Sequence, residues 1–401
     1  MTPFYSLLSG ATFLFVGSLL FFNFYPNKEE NIYLFEKEII ESVASISTST
    51  VMMKDDPVNE PLKEPEVIVT HTSIPPVVKA IYMTSWVAGT KSIRDRVIKI
   101  IDETEVNAVV IDIKDDTGRI SFLPEDPYLK EIGSGENRIP EIKKFIDLLH
   151  KKDIFVIGRI SVFQDPYMVT QRPDLTVRRA SDGGVWKDYK GISWLDAGSK
   201  EVWDYAVAIG KESYSVGFDE LNFDYIRFPS DGNMRDIAYT YYNQASTTKA
   251  VQIKNFFQYL SENLRKDTDA VLSADLFGMT TTNKDDLNIG QVLENAIPYF
   301  DHIAPMVYPS HYPKTFRGFA NPADHPYDVV HYSMSEAVRR LEAASSSPLM
   351  LRPWLQDFDL GADYDAEKIR AQIQATYDAG LNSWMIWSPS NRYTVDALEL
   401  Q

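Results

Sequence analysis

The stretch GFDELNFDYIRFPSDG, residues 217–232, is the most informative in this chain. A strand alternates its side chains between two faces, so Leu221, Phe223 and Tyr225 share one face and Glu220, Asn222 and Asp224 the other. Three polar groups in a row on an inward face are costly to bury without a function or a dense hydrogen-bond network. Seven more short β-branched or apolar runs lie on either side of this one. All eight begin near Lys79 (KAIYMTSW), Ala108 (AVVIDIKD), Ile154 (IFVIGRIS), Phe218 (FDELNFDYIRF), Ala270 (AVLSADLF), Ile303 (IAPMVY), Met350 (MLRPWLQ) and Ser383 (SWMIW). Their starts are 29 to 64 residues apart, enough for a helical crossover between parallel strands.

Helical patterns fill the intervals. Over Ser92–Thr104, Ile93, Val97, Ile100 and Ile101 share a face, with Ser92 as the expected cap. After Pro140, a good first-turn residue, Ile142, Phe145, Ile146 and Leu149 form a stripe. A helix from Asp365 should stop at Gly380. Eight alternating units predict a (β/α)₈ TIM barrel. Its rival, an open doubly wound sheet, often carries a glycine-rich phosphate loop after its first strand. Here Ser85-Trp86-Val87-Ala88-Gly89 stands there instead. Only about ten residues remain after the eighth strand, so the last helix must be short.

The 401 residues carry 57 acidic and 40 basic side chains, a net charge of −17, and no cysteine. That charge argues against nucleic acid as a partner. The missing cysteines exclude disulfides, thiolate metal sites and a cysteine nucleophile. Residues 1–27 hold no charged side chain, and the 22 residues Phe4–Tyr25 are long enough to cross a hydrocarbon core of about 30 Å. An uncleaved transmembrane helix is favoured over a signal peptide, because no basic residue precedes the run and no clear small-residue cleavage site comes after it. Export of the C-terminal part is the expected orientation: a membrane-anchored, extracytoplasmic protein, or a secreted one if the segment is cleaved. Residues 28–76 read as a disordered, acidic, proline-containing linker; counted from Pro26, the stretch to 76 has six prolines, ten acids and four lysines. The catalytic candidates all lie in 77–401, with 47 acids, 36 bases and all seven tryptophans.

Barrel chemistry sits at the C-terminal ends of the strands and in the loops after them. Those tips offer Asp112 and Lys114, then Arg159, then Glu220, Asp224 and Arg227. Further round come Asp275, Tyr308, His311, Trp354, Gln356, Asp357 and Trp387. Glycoside hydrolysis needs two carboxyl groups flanking an oxocarbenium-like transition state. Asp224 and Asp275, near the ends of neighbouring strands about 4.8 Å apart, are the predicted catalytic pair. Asp112, Glu220 and Asp357 are the alternatives. Some of these acids are equally read as pairing with Lys114, Arg159 or Arg227 in a structural network. Trp186, Trp194, Trp354 and Trp387 fall at or near the same face and suit stacking against sugar, although any one of them, or Trp384, is as readily core filling. The long segment 161–199 should cover the face as a lid or subsite wall. No cofactor or metal is expected: histidines are few, no HxH marks the first strand, and a cage of Asp112, Asp115 and Asp116 is the weaker reading.

The stretches VVIDIKDDTG (109–118), GRISVFQDP (158–166), GFDELNFDYIRFPSDG, SADLFG (273–278), APMVYPSHY (304–312) and RPWLQDF (352–358) together resemble the DUF4015 family. The resemblance implies a bacterial, often exported glycosyl hydrolase domain with a TIM-barrel fold, acting in carbohydrate metabolism. It also implies that the aspartate ending the fourth-strand motif, Asp224, is catalytic. The same stretch is similar to the chitinase pattern DGxDxDxE across Asp219, Asn222 and Asp224. Ile226 stands in place of the chitinase acid, which argues against substrate-assisted chemistry. The expected function is therefore hydrolysis of an oligo- or polysaccharide, with Asp112, Lys114, Arg159, Glu220, Arg227, Tyr308, His311, Trp354, Gln356 and Trp387 holding the sugar. The alternative is a catalytically inactive barrel that binds cell-envelope glycan.

Overall fold

The computed structural model describes residues 67–401. The expected transmembrane helix at 1–27 and the linker as far as residue 66 lie outside the described residues. Among the described residues, no helix is long and apolar enough to cross a membrane.

Eight parallel strands close into a barrel: β1 Lys79–Met83, β2 Ala108–Lys114, β3 Phe155–Ser161, β4 Glu220–Asp224, β5 Val271–Phe277, β6 His302–Met306, β7 Trp354–Gln356 and β8 Trp384–Trp387. Each strand pairs with its sequence neighbours, and β8 returns to β1 through Lys79 beside Trp384 and Ile81 beside Ile386. The seven connections between strands carry helices α1 Lys91–Glu103, α2 Ile142–His150, α3 Lys200–Ser215, α4 Lys249–Leu264, α5 Leu293–Ala296, α6 Pro326–Ala343 and α7 Ala366–Asp378. After β8 the described residues form a 3₁₀ turn, Val395–Ala397, and no α-helix.

The helices form where the apolar stripes lie. In α2 the buried residues are Ile142, Phe145, Ile146 and Leu149. The α7 helix begins on Asp365, whose side chain accepts from Lys368 N–H, and Gly380 beyond its end takes φ +86°, a conformation glycine adopts without penalty. The start of α1 departs from expectation. The helix opens at Lys91 after Thr90, so Ser92 lies inside the first turn and caps nothing.

Buried apolar residues form two clusters. The larger joins the helix stripes to the outward strand residues such as Ile111, Leu221 and Phe223. The smaller takes the alternate positions, among them Ala80, Tyr82, Val110, Ile157, Trp354 and Met385, and fills the barrel interior. Glu220, Asn222 and Asp224 share that interior, as period two requires. The extended strand ends at Asp224, and at Tyr225 φ is +51°. A bulky side chain in the left-handed region is a strained exception, and Tyr225 still packs against the larger cluster that holds Leu221 and Phe223.

At the opposite end of the barrel, Asp219 fastens residues 71–72, within the stretch read as linker. Its carboxylate accepts from Thr72 N–H at 2.6 Å and Val156 N–H at 2.9 Å, and faces His150 Nε2 at 3.0 Å. His71 stacks on Tyr214 with centroids 3.9 Å apart. Burial pushes the Asp219 carboxyl up, but His150, His71 and the two N–H donors outweigh it and hold it below the ordinary value. A depressed carboxyl stabilises the fold above its unfolded value of about 3.9 and loses that contribution as pH falls through the folded value. Asp219→Asn should therefore cost about 1–3 kcal/mol at pH 7 in urea unfolding of the full chain, with the difference shrinking below about pH 4.

Candidate active site at the C-terminal face of the barrel

The inward side chains of β2 to β5 rise in layers. At the bottom, Arg352 pairs with Glu220 and Ser273 Oγ donates to Glu220 Oε1 at 2.5 Å. Above them Asn222 Nδ2 donates to Asp275 Oδ1 at 2.9 Å, and Trp354 Nε1 donates to the same oxygen at 2.8 Å. At the top Arg159 joins three strands. Its Nη1 donates to Asp112 Oδ1 at 2.8 Å, and its Nε and Nη2 donate to Asp224 Oδ2 at 3.1 and 2.5 Å. Asp224 Oδ1 accepts Tyr225 N–H at 2.6 Å, and Tyr82 hydroxyl donates to Asp112 Oδ2.

Arg159 Nε also lies 3.9 Å from Asp275 Oδ2. The Oδ2 atoms of Asp224 and Asp275, at 3.1 and 3.9 Å from one nitrogen, are thus no more than about 7 Å apart. That bound admits the roughly 5–5.5 Å of retaining glycosidases and the lower end of the inverting range.

Three carboxyl groups share one guanidinium in a nearly enclosed space. Burial pushes Asp275 up, the charge of Asp224 pushes it further, and Arg159 only partly opposes them, so Asp275 titrates at about 8. Burial likewise takes Asp112 up to about 6 against the pull of Arg159. Near neutral pH, Asp275 is therefore a carboxylic acid. Burial works against the charge on Arg159 itself, but Asp224 and Asp112 outweigh it and hold the guanidinium protonated.

Asp112, Arg159, Asp224, Asp275 and Trp354 are thus brought together. Glu220 lies beneath them, and the aromatic residues flank the mouth. Tyr308 packs against Trp387 at 5.3 Å and Phe358 at 5.7 Å, with His311 at 5.3 Å. Arg227 stands over Trp194 and Tyr225 at 5.0 and 5.3 Å.

Other expected residues are placed elsewhere. Lys114 is turned away from the mouth: the register between β2 and β3 shifts between Asp112 and Lys114, carrying Lys114 to the outer face, where it pairs with Asp165 at 2.5 Å over the Tyr205 ring of α3. Gln356 is fully engaged within the fold, accepting from Ser310 Oγ at 2.9 Å and donating to Phe358 O at 2.9 Å. Asp357 accepts from Thr394 N–H and Oγ, each at 2.9 Å, and so holds the chain after β8. Trp354 is buried and serves Asp275, while Trp186 and Trp194 are buried in the loop after β3. Of the four tryptophans read as stacking surfaces, only Trp387 keeps partial exposure. Asp115 pairs with Arg138 at 2.5 Å, away from Asp112, and no group of three acids or histidines among the described residues is arranged to hold a metal ion.

Tyr82 and Asn222 were not among the expected site residues. Asn222 was visible on the polar face of β4. Tyr82 had a weaker signal, the alternation Ala80, Tyr82 in KAIYM. The 161–199 segment is tied to the loop after β4 by a two-stranded pairing of Arg178–Arg179 with Ile237–Ala238.

A closed parallel barrel with paired carboxylates at the C-terminal ends of its strands has the form of a glycosyl-hydrolase-like domain. Residues 80–393 match DUF4015, described as "Putative glycosyl hydrolase domain", and the chain belongs to that family. A hypothetical protein from Ruminiclostridium thermocellum is 33% identical over 52% of this chain and 98% of its own, with a TM-score of 0.45. The glycoside hydrolase domain of PgaB (BpsB) from Bordetella bronchiseptica is 14% identical, covers 81% of this chain and 100% of its own, and superposes with a TM-score of 0.59. α-L-Fucosidase isoenzyme 2 from Paenibacillus thiaminolyticus is 11% identical, covers 80% of this chain and 48% of its own, and gives 0.54. These last two likenesses are of fold. No protein of curated function matches the chain in sequence.

A raised carboxyl stabilises the fold below its unfolded value, and that contribution is lost as pH rises through the folded value. For Asp275 the window runs from about 4 to about 8. Asp275→Asn cannot ionise, so its urea midpoint relative to the parent should climb across that window and level off above it.

Proposed function

We propose that this chain is a glycoside hydrolase that cleaves an oligo- or polysaccharide with Asp275 as general acid and Asp224 as nucleophile or base. One observation carries the reading: two carboxyl groups on neighbouring strands lie within about 7 Å of each other, and burial keeps one of them protonated near neutral pH. Asp275 would give its proton to the departing glycosidic oxygen. Asp224, met by N–H donors from Arg159 and Tyr225, would attack the anomeric carbon or activate a water to do so. In the first case a glycosyl ester forms on Asp224, and the ionised Asp275 then takes a proton from the water that hydrolyses it. Asp112 and Arg159 would meet sugar hydroxyls, Arg227 would line the approach, and Trp387 with Tyr308 would offer a stacking wall.

The reading includes export. The apolar segment 4–25 would anchor the chain, or be cleaved, with the barrel on the extracytoplasmic side and the acidic segment 28–66 as tether.

The enclosure of Asp275, 1% exposed, and the engagement of every central carboxylate with Arg159 favour a second reading, an inactive barrel that binds glycan. Reducing ends released from cell-wall and exopolysaccharide preparations separate the two. The full chain should release them, Asp224→Asn should lower the rate by about 10³-fold or more, and the rate should fall as pH rises through about 8. Glycan retained without cleavage would uphold the binding barrel. Equal rates in parent and variant would remove Asp224 from the chemistry.

A further inference from the structure

The polar groups beneath Asp275 form a chain whose hydrogen bonds run in one direction. Arg352, fully buried, has only donors, and it donates to Glu220 Oε1. Glu220 accepts, at that same oxygen, the single hydroxyl hydrogen of Ser273 at 2.5 Å. Ser273 Oγ is left as an acceptor, and it receives Asn222 Nδ2 at 3.0 Å. The NH₂ end of the Asn222 amide must therefore face Ser273, and its second hydrogen reaches Asp275 Oδ1 at 2.9 Å. Asn222 Oδ1 is buried and meets no protein donor among the described residues, so nothing on its oxygen side competes with this orientation. With Trp354 Nε1 also on Asp275 Oδ1, that oxygen is met by two N–H groups. A proton placed there would collide with both. Oδ2, the oxygen 3.9 Å from Arg159 Nε, is the one left to carry it.

We propose that Arg352, Glu220 and Ser273 are positioning residues that orient the Asn222 amide and so confine the acid proton of Asp275 to Oδ2, the oxygen toward Arg159 and Asp224. The inference rests on the reading of Asp275 as general acid. The charged and titratable groups facing Asp275 are Asp224 from β4, Arg159 from β3 and Tyr308 just beyond β6. His302 from β6 lies by the Arg352–Glu220 pair, and burial holds it below its ordinary value, so it stays neutral near pH 7 and above.

In Ser273→Ala the Asn222 amide loses the acceptor that fixes its NH₂ end and is free to turn. A turned amide takes a donor from ionised Asp275, and the exchange changes no charge beneath it. The test uses the full chain labelled with ¹³C at aspartate carboxyls, with the Asp275 resonance assigned by Asp275→Asn. The Asp275 midpoint should rise from about 8 by up to about one pH unit in Ser273→Ala, and Ser273→Thr should restore it. With an active substrate, kcat at pH 7 should fall about tenfold in Ser273→Ala with KM little changed, and recover in Ser273→Thr. An unmoved midpoint in folded Ser273→Ala overturns the proposal. The titration needs no substrate, so a moved midpoint in a chain that cleaves no glycan upholds the relay and overturns the hydrolase reading instead.

Discussion

The Arg159 guanidinium lies among three carboxyl groups inside the barrel, and the organisation of the upper interior depends on that. Asp112, Asp224 and Asp275 come from β2, β4 and β5, and one cation cannot offset three negative charges in a space that excludes most water. The compromise is unequal. Asp224 and Asp112 take the short contacts with the guanidinium, while Asp275, at 3.9 Å and almost wholly buried, retains its proton to a higher pH than either burial or a neighbouring charge alone would give. The planar fork of arginine matters because it donates to two strands at once, which the single ammonium of lysine would do less well.

That arrangement stands on the layers below it. Charge is buried a second time at Glu220 and Arg352, where each neutralises the other and neither reaches solvent. Such a pair contributes little net stability, since desolvation offsets most of its attraction, but removing one partner is costly. Its value here is directional. It sets which way hydrogen bonds run through Ser273 and Asn222 toward Asp275. Above, the left-handed turn at Tyr225 brings that residue's N–H onto Asp224, placing backbone strain beside the central carboxylate.

Much of this was legible in the order of residues. Eight apolar runs separated by amphipathic stretches specify a parallel barrel because period two and period 3.6 are local properties, visible without knowing what packs against what. The inward set Glu220, Asn222 and Asp224 came from alternation alone, and the strand tips holding Asp112, Arg159 and Asp275 came from knowing where barrel strands end. Lys114 shows where that reasoning stops. Two residues from Asp112, it belongs by alternation to the same face, yet a register shift moves it to the other side of the sheet. A slip of that kind depends on pairing with β3, 41 or more residues away along the chain.

The sequence by itself therefore determined the barrel, the helices that cover it, and the strand ends on which acids and a cation would meet, since each is encoded in local spacing. The tertiary structure decided what those groups are to one another. Trp354 serves as a donor to Asp275 and not as a stacking surface, Gln356 and Asp357 hold loops, Tyr82 reaches Asp112, and Asp275 keeps its proton. None of this can be read from spacing. Hydrogen-bond partnership and proton affinity depend on distances between strands and on how much water is excluded between them, and both exist only once the barrel has closed.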